Sequence, residues 1–236
     1  MAIDALFDRR RWRNATGGVG LLLIVANLMS NRVLPAWAYL PWNVAVAFAI
    51  VVLAQSATTH EQLGFTRWKR GAAWGTVLLV LTIAVLALAI TMPVFNELYH
   101  DRRVEAGVGT WLYQAVVRIP FGTVLLEEVA FRGVLPGLFM LRWGAVRGCI
   151  AASLCFGLWH VLPALTLNEV NPVATRVFGT GAGGVAVAVI FAVCSTAIVG
   201  MWFCWIRLRS GSVLATMMAH VASNSGAYTI AWLVAR

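Results

Sequence analysis

The sequence predicts an all-α protein, a polytopic membrane helix bundle of about seven transmembrane helices, with eight as the alternative. Three observations lead to this prediction. Hydrophobic residues make up 61% of the 236-residue chain, charged residues only 11%, and the mean hydropathy is +0.81. A soluble domain carries roughly 25% charged residues. This chain cannot cover a globular surface with polar side chains, so its solvent is the lipid bilayer.

Seven apolar stretches are long enough to cross the hydrocarbon core, which takes about 20 residues of helix. They cover residues 17–33, 39–57, 71–94, 121–141, 149–165, 181–206 and 213–234. An eighth apolar piece, residues 107–119, precedes Pro120, and we expect the proline to separate it from the fourth span as a short helix. We divide the chain into an N-terminal transmembrane region, residues 1–106, and a C-terminal transmembrane core, residues 107–236.

The basic residues predict the orientation. With seven crossings, eleven Lys and Arg residues lie on the side of the N-terminus and six on the other, the latter including Arg102, Arg103 and Arg236. The positive-inside rule then places the N-terminus in the cytoplasm and explains the net charge of +9 without nucleic acid. We favour an uncleaved first span over a signal peptide. The bias of Arg over Lys is typical of a GC-rich bacterial genome, so we expect the inner (plasma) membrane.

Polar residues inside the spans indicate a functional site. The fourth span carries Glu127, Glu128 and Arg132, and each charge costs about 2.5–3.5 kcal/mol at the centre of a membrane helix. The later spans carry His160 and His220. The fourth span barely inserts alone, so its polar face must be buried against other helices or a water-filled cavity.

Helical spacing sorts these groups. Glu128 and Arg132 are four residues apart and share a face, which predicts an ion pair. Glu127 points about 100° away from Glu128 and has Phe131, not a cation, four residues later. An unpaired carboxylate in a poorly hydrated site suits a general base.

The histidines follow the same rule. His220 has Asn224 four residues later, so both side chains project from one face. His160 follows Phe156 by four residues. Two histidines, an unpaired glutamate and an asparagine on three spans favour catalysis or ion transport over a purely structural role.

Three motifs carry a family resemblance. Residues 127–132 read E-E-V-A-F-R, residues 156–160 read F-G-L-W-H and residues 220–224 read H-V-A-S-N. In order and spacing they resemble the E-E-x-x-x-R, F-x-x-x-H and H-x-x-x-N motifs of the CPBP family (CAAX proteases and bacteriocin-processing or self-immunity proteins, also called Abi). The segment Leu63-Gly64-Phe65 resembles that family's L-G-[FL] segment.

The resemblance implies that residues 107–236 are a catalytic core acting as an intramembrane endopeptidase, similar to type II CAAX prenyl proteases. By resemblance, Glu127 activates the attacking water, His160 helps to hold it, and His220 and Asn224 stabilise the oxyanion. The expected substrate is a peptide or protein with a membrane-associated segment, cleaved within the bilayer. A non-proteolytic membrane protein, such as a bacteriocin self-immunity factor or a scaffold, is the alternative.

The same resemblance assigns supporting roles to Glu128, Arg132 and Phe156. It also leaves open whether a metal is bound, because the Glu127 carboxylate and the imidazoles of His160 and His220 could together act as three zinc ligands. We favour water activated by glutamate with no tightly held cofactor.

Other chemistries fit the sequence less well. The H-E-x-x-H motif of zinc proteases fails because His60-Glu61 has Gly64 in place of the second histidine. A rhomboid-like serine site at Ser225 lacks the first glycine of G-x-S-G. Residues 179–184 match G-x-G-x-x-G but follow no predicted strand, which indicates helix packing or a hinge and no nucleotide.

Overall fold

The computed structural model describes residues 2–92, 97–99, 104 and 107–235, without the side chains of residues 2–7 and 98. Arg102, Arg103, Arg236 and the end of the predicted third span lie outside these residues. Within the described residues the chain is helical, and β-type pairing is limited to an isolated bridge between Phe65 and Ser212. The prediction of an all-α bundle is confirmed.

The described residues form eleven α-helices, which we number in chain order. They are α1 (Ala2–Leu28), α2 (Ala36–Gln55), α3 (Trp68–Ile90), α4 (Val108–Leu112), α5 (Leu125–Glu128), α6 (Leu135–Trp159), α7 (Val161–Ala164), α8 (Leu167–Val170), α9 (Pro172–Phe178), α10 (Gly181–Ser210) and α11 (Val213–Val234). Wider π-helical turns extend α1 through Met29–Val33, join α4 to α5 through Tyr113–Val124, and join α5 to α6 through Val129–Val134.

A continuous helical run, which we call the site helix, therefore extends over residues 108–143. Gly144 interrupts it with a left-handed φ of 75°, a conformation that glycine adopts without steric cost. Beyond this break, residues 145–159 of α6 form a return limb, because Phe156 packs against Phe131 with ring centroids 5.2 Å apart.

Five helical stretches among the described residues are long and apolar enough to span a membrane. The longest, Val108–Ala164, contains both the site helix and the return limb. Helix α11 has 22 residues, which is long enough to cross a membrane, but it is more polar than these five stretches and is not among them. The chain is thus a multi-pass membrane protein, and seven crossings, with eight as the alternative, stay a prediction.

Pro120 does not break the site helix, contrary to the sequence-based prediction. The turns around it widen, so that Leu125 N–H donates to Pro120 O five residues earlier. In such a turn the missing N–H of Pro120 would orphan the Ala115 carbonyl, and Ser225 Oγ donates to that oxygen at 2.8 Å. The buried Asn43 side chain likewise donates to Gly122 O at 2.8 Å. A neighbouring helix thus supplies the hydrogen bond that the proline removes.

The bundle exposes its apolar side chains outward, as expected of a lipid-facing surface. Val77, Val80 and Leu81 of α3 are each more than half exposed. Where helices cross, small residues permit close approach. A Cβ atom at Gly75 of α3 would lie 2.5 Å from Met218 Sδ of α11, so a larger residue there would displace the Met218 side chain.

The loop after α2 joins three elements at one end of the bundle. Gly64 O accepts from Val213 N–H at 3.0 Å, and the buried Arg207 side chain donates to Gln62 O. Leu63 is fully buried, and a Cβ at Gly137 of the site helix would lie 3.0 Å from its Cδ2 atom. The Leu63-Gly64-Phe65 segment therefore braces the site helix. We call this end, which also carries Arg142, the basic end.

Candidate active site

The site is organised around an ion pair within the bundle. Glu128 and Arg132, one turn apart on the site helix, are both fully buried, and Arg132 Nη1 lies 3.3 Å from Glu128 Oε1. The predicted pair therefore forms. The Arg132 guanidinium also lies over the ring of Phe156, 3.9 Å from its centroid, and faces Phe203 at 5.0 Å. Aromatic faces stabilise a cation that water cannot reach.

His220 of α11 lies between the two glutamates. Its Nδ1 atom is 2.8 Å from Glu128 Oε1, so the Nδ1–H donates to the carboxylate. Its Nε2 atom is 3.8 Å from Glu127 Oε2. A carboxylate on Nδ1 fixes the orientation of the imidazole and leaves Nε2 facing the second carboxylate.

Glu127 is almost completely buried, with 7% of its surface exposed. The indole N–H of Trp159 donates to Glu127 Oε1 at 3.2 Å, which leaves Oε2 directed toward His220. Trp159 belongs to the return limb, so the turn at Gly144 is what brings this donor to the glutamate. The expectation that Glu127 has no cation one turn later holds, but the fold supplies it with two neighbours that helical spacing did not show.

Asn224 lies one turn after His220 on α11, as the spacing predicts. Its Nδ2 atom is 3.1 Å from His220 Nε2. The amide carries two hydrogens on Nδ2, one directed at the imidazole and one left for another acceptor. Ser223 Oγ donates to His220 O at 2.9 Å and lies 3.3 Å from Asn224 Oδ1.

His160 follows the return limb. Its Nδ1 lies 2.8 Å from Phe156 O, one turn earlier, so Nδ1–H donates to the backbone and Nε2 keeps a free lone pair. Phe156 packs edge-on against the imidazole, with ring centroids 4.6 Å apart. Phe156 therefore orients His160 through its backbone carbonyl and its ring. The same ring also contacts the Arg132 guanidinium.

These residues enclose a cavity of about 210 Å³ between the site helix, α10 and α11. His160, His220 and Asn224 line it together, and Thr196 and Ser195 of α10 add hydroxyl groups on the far wall. Glu127 is not among the lining residues, and its link to the cavity is His220, whose Nε2 lies 3.8 Å from Glu127 Oε2. The structure thus brings Glu127, His220 and Asn224 into one chain of contacts and places His160 in the wall of the cavity that His220 and Asn224 also line.

Sequence reasoning missed Trp159 as a partner of Glu127. A signal was present, because a tryptophan inside a membrane span needs an acceptor for its indole N–H, and Trp159 directly precedes His160. The rival serine site has no support in the structure. Ser225 Oγ donates to the carbonyl of Ala115 and repairs the backbone near Pro120.

A zinc ion would need three protein ligands around one point. The described residues contain no group of three His, Cys, Asp or Glu side chains that could hold a metal ion. The Nδ1–H groups of His160 and His220 bond to Phe156 O and Glu128, which leaves the Nε2 atoms as possible ligands, but Asn224 Nδ2 already lies 3.1 Å from His220 Nε2. As placed, Glu127, His160 and His220 do not form a zinc centre.

A second cavity, of about 480 Å³, lies between α1 and α6 and is lined mainly by apolar side chains. Phe131 and Trp159 form part of its wall. Trp159 separates this cavity from Glu127, since its indole N–H contacts the carboxylate. An apolar chamber therefore lies one side chain away from the buried glutamate.

The glycine-rich segment 179–184 joins α9 to α10. Gly179 and Gly181 have left-handed φ values of 85° and 71°, and a Cβ at Gly184 would lie 2.4 Å from Gly179 O. The segment is a tight interhelical turn, in agreement with the packing or hinge interpretation.

Comparison with known proteins gives one match. A family model described as type II CAAX prenyl endopeptidase, Rce1-like, matches residues 109–226, half of the chain. The match begins in α4 and ends just after Asn224, so it contains all three motifs. No curated protein and no solved structure matches the chain.

Proposed function

The chain belongs to the type II CAAX prenyl endopeptidase, Rce1-like, family, and we propose that it cleaves peptide bonds within the membrane with a water molecule activated by Glu127. The family is one of proteases, so a peptide substrate and a lipid environment follow at that level. The activating group and the roles of individual residues are our proposal.

The observation that carries the proposal is the position of Glu127. Its carboxylate is buried, one oxygen is held by Trp159, and the other is directed toward His220 Nε2 at 3.8 Å. Glu128, by contrast, is already paired with Arg132 and His220. Glu127 is therefore the carboxylate that is free to accept a proton from water.

The proposed reaction starts with water between Glu127 Oε2 and His160 Nε2. The water oxygen attacks the scissile carbonyl carbon while its proton passes to Glu127. The developing oxyanion accepts from the second hydrogen on Asn224 Nδ2. When the intermediate collapses, the C–N bond breaks and the leaving amine takes the proton from Glu127, which restores the enzyme.

His220 is the link between this chemistry and the ion pair. Its Nδ1–H bond to Glu128 fixes the ring, and Nε2 lies close to both Asn224 and Glu127. Because Nε2 accepts from one hydrogen of Asn224 Nδ2, His220 also orients the second hydrogen of that amide toward the oxyanion. Glu128 and Arg132 thus act on the reaction through His220.

The apolar cavity between α1 and α6 gives a membrane-embedded segment of the substrate a place next to the site. Its volume of about 480 Å³ holds several apolar side chains, and Trp159 lies between it and Glu127.

We propose that the protein lies in a bacterial plasma membrane with its N-terminus on the cytoplasmic side, because the arginine-rich start of α1 lies at the basic end. Labelling a single cysteine at Thr59 tests the orientation, since reaction from the outside would reverse it.

The function is tested with purified protein in lipid nanodiscs and a library of peptides that carry one apolar segment. New peptide termini are detected by mass spectrometry. We expect cleavage by the wild type and none by Glu127→Gln. The matched control is Glu61→Gln, which alters an exposed loop glutamate and should cleave normally. Equal cleavage by Glu127→Gln would refute the proposed base, and a well-folded wild type that cuts nothing would favour a non-proteolytic role.

A further inference from the structure

Two adjacent cavities open at the basic end, away from the catalytic residues. One, of about 680 Å³, lies between α1, the loop after α2 and the end of the site helix, and the other, of about 470 Å³, lies beside it along α1. Arg9, Trp12 and Arg142 line both. The proposed cleavage uses neither cavity.

Their walls are strongly basic. Among the described residues that line them, the arginines are Arg9, Arg10, Arg11, Arg13 and Arg142, while Asp8 is acidic. The planar guanidinium group binds phosphate oxygens in pairs, which makes arginine well suited to phosphate recognition. The charge therefore selects an anionic ligand with phosphate-like oxygens.

The floor of the cavities is held rigidly. The Trp12 indole N–H donates to Leu138 O of the site helix at 2.7 Å. Trp143 packs edge-on against Trp12 at 6.2 Å, and the Arg142 guanidinium lies 5.6 Å from the Trp12 ring. Tryptophan and arginine together are typical of the headgroup level of a membrane.

The adjoining surface of α1 is apolar. Leu21 and Val25, about two and three turns beyond Arg13, are 65% and 39% exposed and do not line the apolar cavity between α1 and α6. A ligand that carries hydrocarbon chains can therefore bury its headgroup among the arginines and lay its chains along α1. A free phosphate ion would contact only the arginines and not the apolar surface of α1.

We propose that this basic cavity binds the headgroup of an anionic glycerophospholipid. The bound phosphate bridges Arg9 of α1 and Arg142 at the end of the site helix. It thereby tethers α1 to the turn at Gly144, beyond which the return limb carries Trp159 back to Glu127.

The test compares lipid binding by native mass spectrometry after exchange into detergent. The probes are phosphatidylglycerol, phosphatidylcholine with matched acyl chains, and inorganic phosphate. The variant is Arg9→Gln with Arg142→Gln, and the control is Arg70→Gln with Arg147→Gln, which removes two exposed charges at the same end but outside the cavities. A second variant, Arg9→Lys with Arg142→Lys, keeps the charge.

We expect the wild type to retain phosphatidylglycerol over phosphatidylcholine. The cavity variant should lose about 100-fold in affinity for it, since each charge-assisted hydrogen bond to the phosphate that is removed costs about tenfold. The control should lose at most about threefold, because distant charges are screened. The lysine variant should fall between wild type and glutamine variant and show that the fold is intact.

Three results would overturn the proposal. Equal losses in the cavity variant and the control would indicate a diffuse surface potential instead of a site. Equal retention of phosphatidylcholine would indicate an apolar lipid annulus alone. Competition by inorganic phosphate at the concentration of the lipid headgroup would show a site for the free anion.

Discussion

His220 Nδ1 lies 2.8 Å from Glu128 Oε1, which joins two residues that are 92 positions apart in the sequence. This contact connects the proposed oxyanion donors on α11 with the buried ion pair on the site helix. Glu128 thus has two partners, the Arg132 guanidinium and the Nδ1–H of His220. The second oxygen of Glu127 stays available to accept a proton. The division of labour between two adjacent glutamates therefore depends on a contact between helices.

Loss of the Glu128 carboxylate should destabilise the protein. Glu128→Gln leaves the Arg132 guanidinium buried without its counter-charge, and breaking a buried pair in this way costs about 3–5 kcal/mol. The measurement is the free energy of unfolding in mixed micelles. Glu61→Gln, which breaks an exposed pair with Arg67, should cost less than about 1 kcal/mol. Similar costs for both variants would mean that the Glu128 pair contributes no more than a surface pair.

Asn224→Ala should slow turnover with little change in substrate binding. Removal of one oxyanion donor typically costs about 10²–10³ in rate, and Asn224 Nδ2 has one hydrogen left for the substrate. The comparison of kcat and KM on a cleaved peptide separates the two effects. Asn31→Ala, at an exposed asparagine, serves as the control. A rise in KM with an unchanged kcat would assign Asn224 to substrate binding instead.

Trp159→Phe should lower kcat by about tenfold and leave KM close to that of the wild type. The phenyl ring keeps the apolar wall but removes the hydrogen bond that orients the Glu127 carboxylate, and a reacting group misplaced by about 1 Å can cost up to about 10²-fold in rate. Trp37→Phe, at an exposed tryptophan of α2, is the matched control. If both variants had the same activity, Trp159 would serve only to pack the wall of the apolar cavity.

Activity should survive chelation of zinc. The described residues offer no three-ligand cluster, and Glu127 can activate water alone in the proposed reaction. The measurement is the metal content of active protein, with cleavage rates before and after a chelator. Stoichiometric zinc that is lost together with activity, and restored with it, would replace the glutamate-only mechanism and make His160 and His220 ligands.

The sequence alone predicts those parts of the site that lie within one or two helical turns. Pairs four residues apart, such as Glu128 with Arg132 and His220 with Asn224, must meet because 3.6 residues per turn place them on one face. The same holds for the all-α membrane bundle, since apolar stretches of this length satisfy their backbone in lipid only as helices.

Tertiary structure decided the rest. Whether Pro120 broke the site helix depended on Ser225, on another helix, which reaches the carbonyl that the proline leaves without a donor. Likewise, the donor to Glu127 is Trp159, 32 residues away, and it arrives only because the chain turns back at Gly144. Helical periodicity fixes which side chains share a face, but the crossing of the helices fixes which faces meet. The packing of the whole bundle sets how the helices cross, and no local sequence pattern encodes that packing.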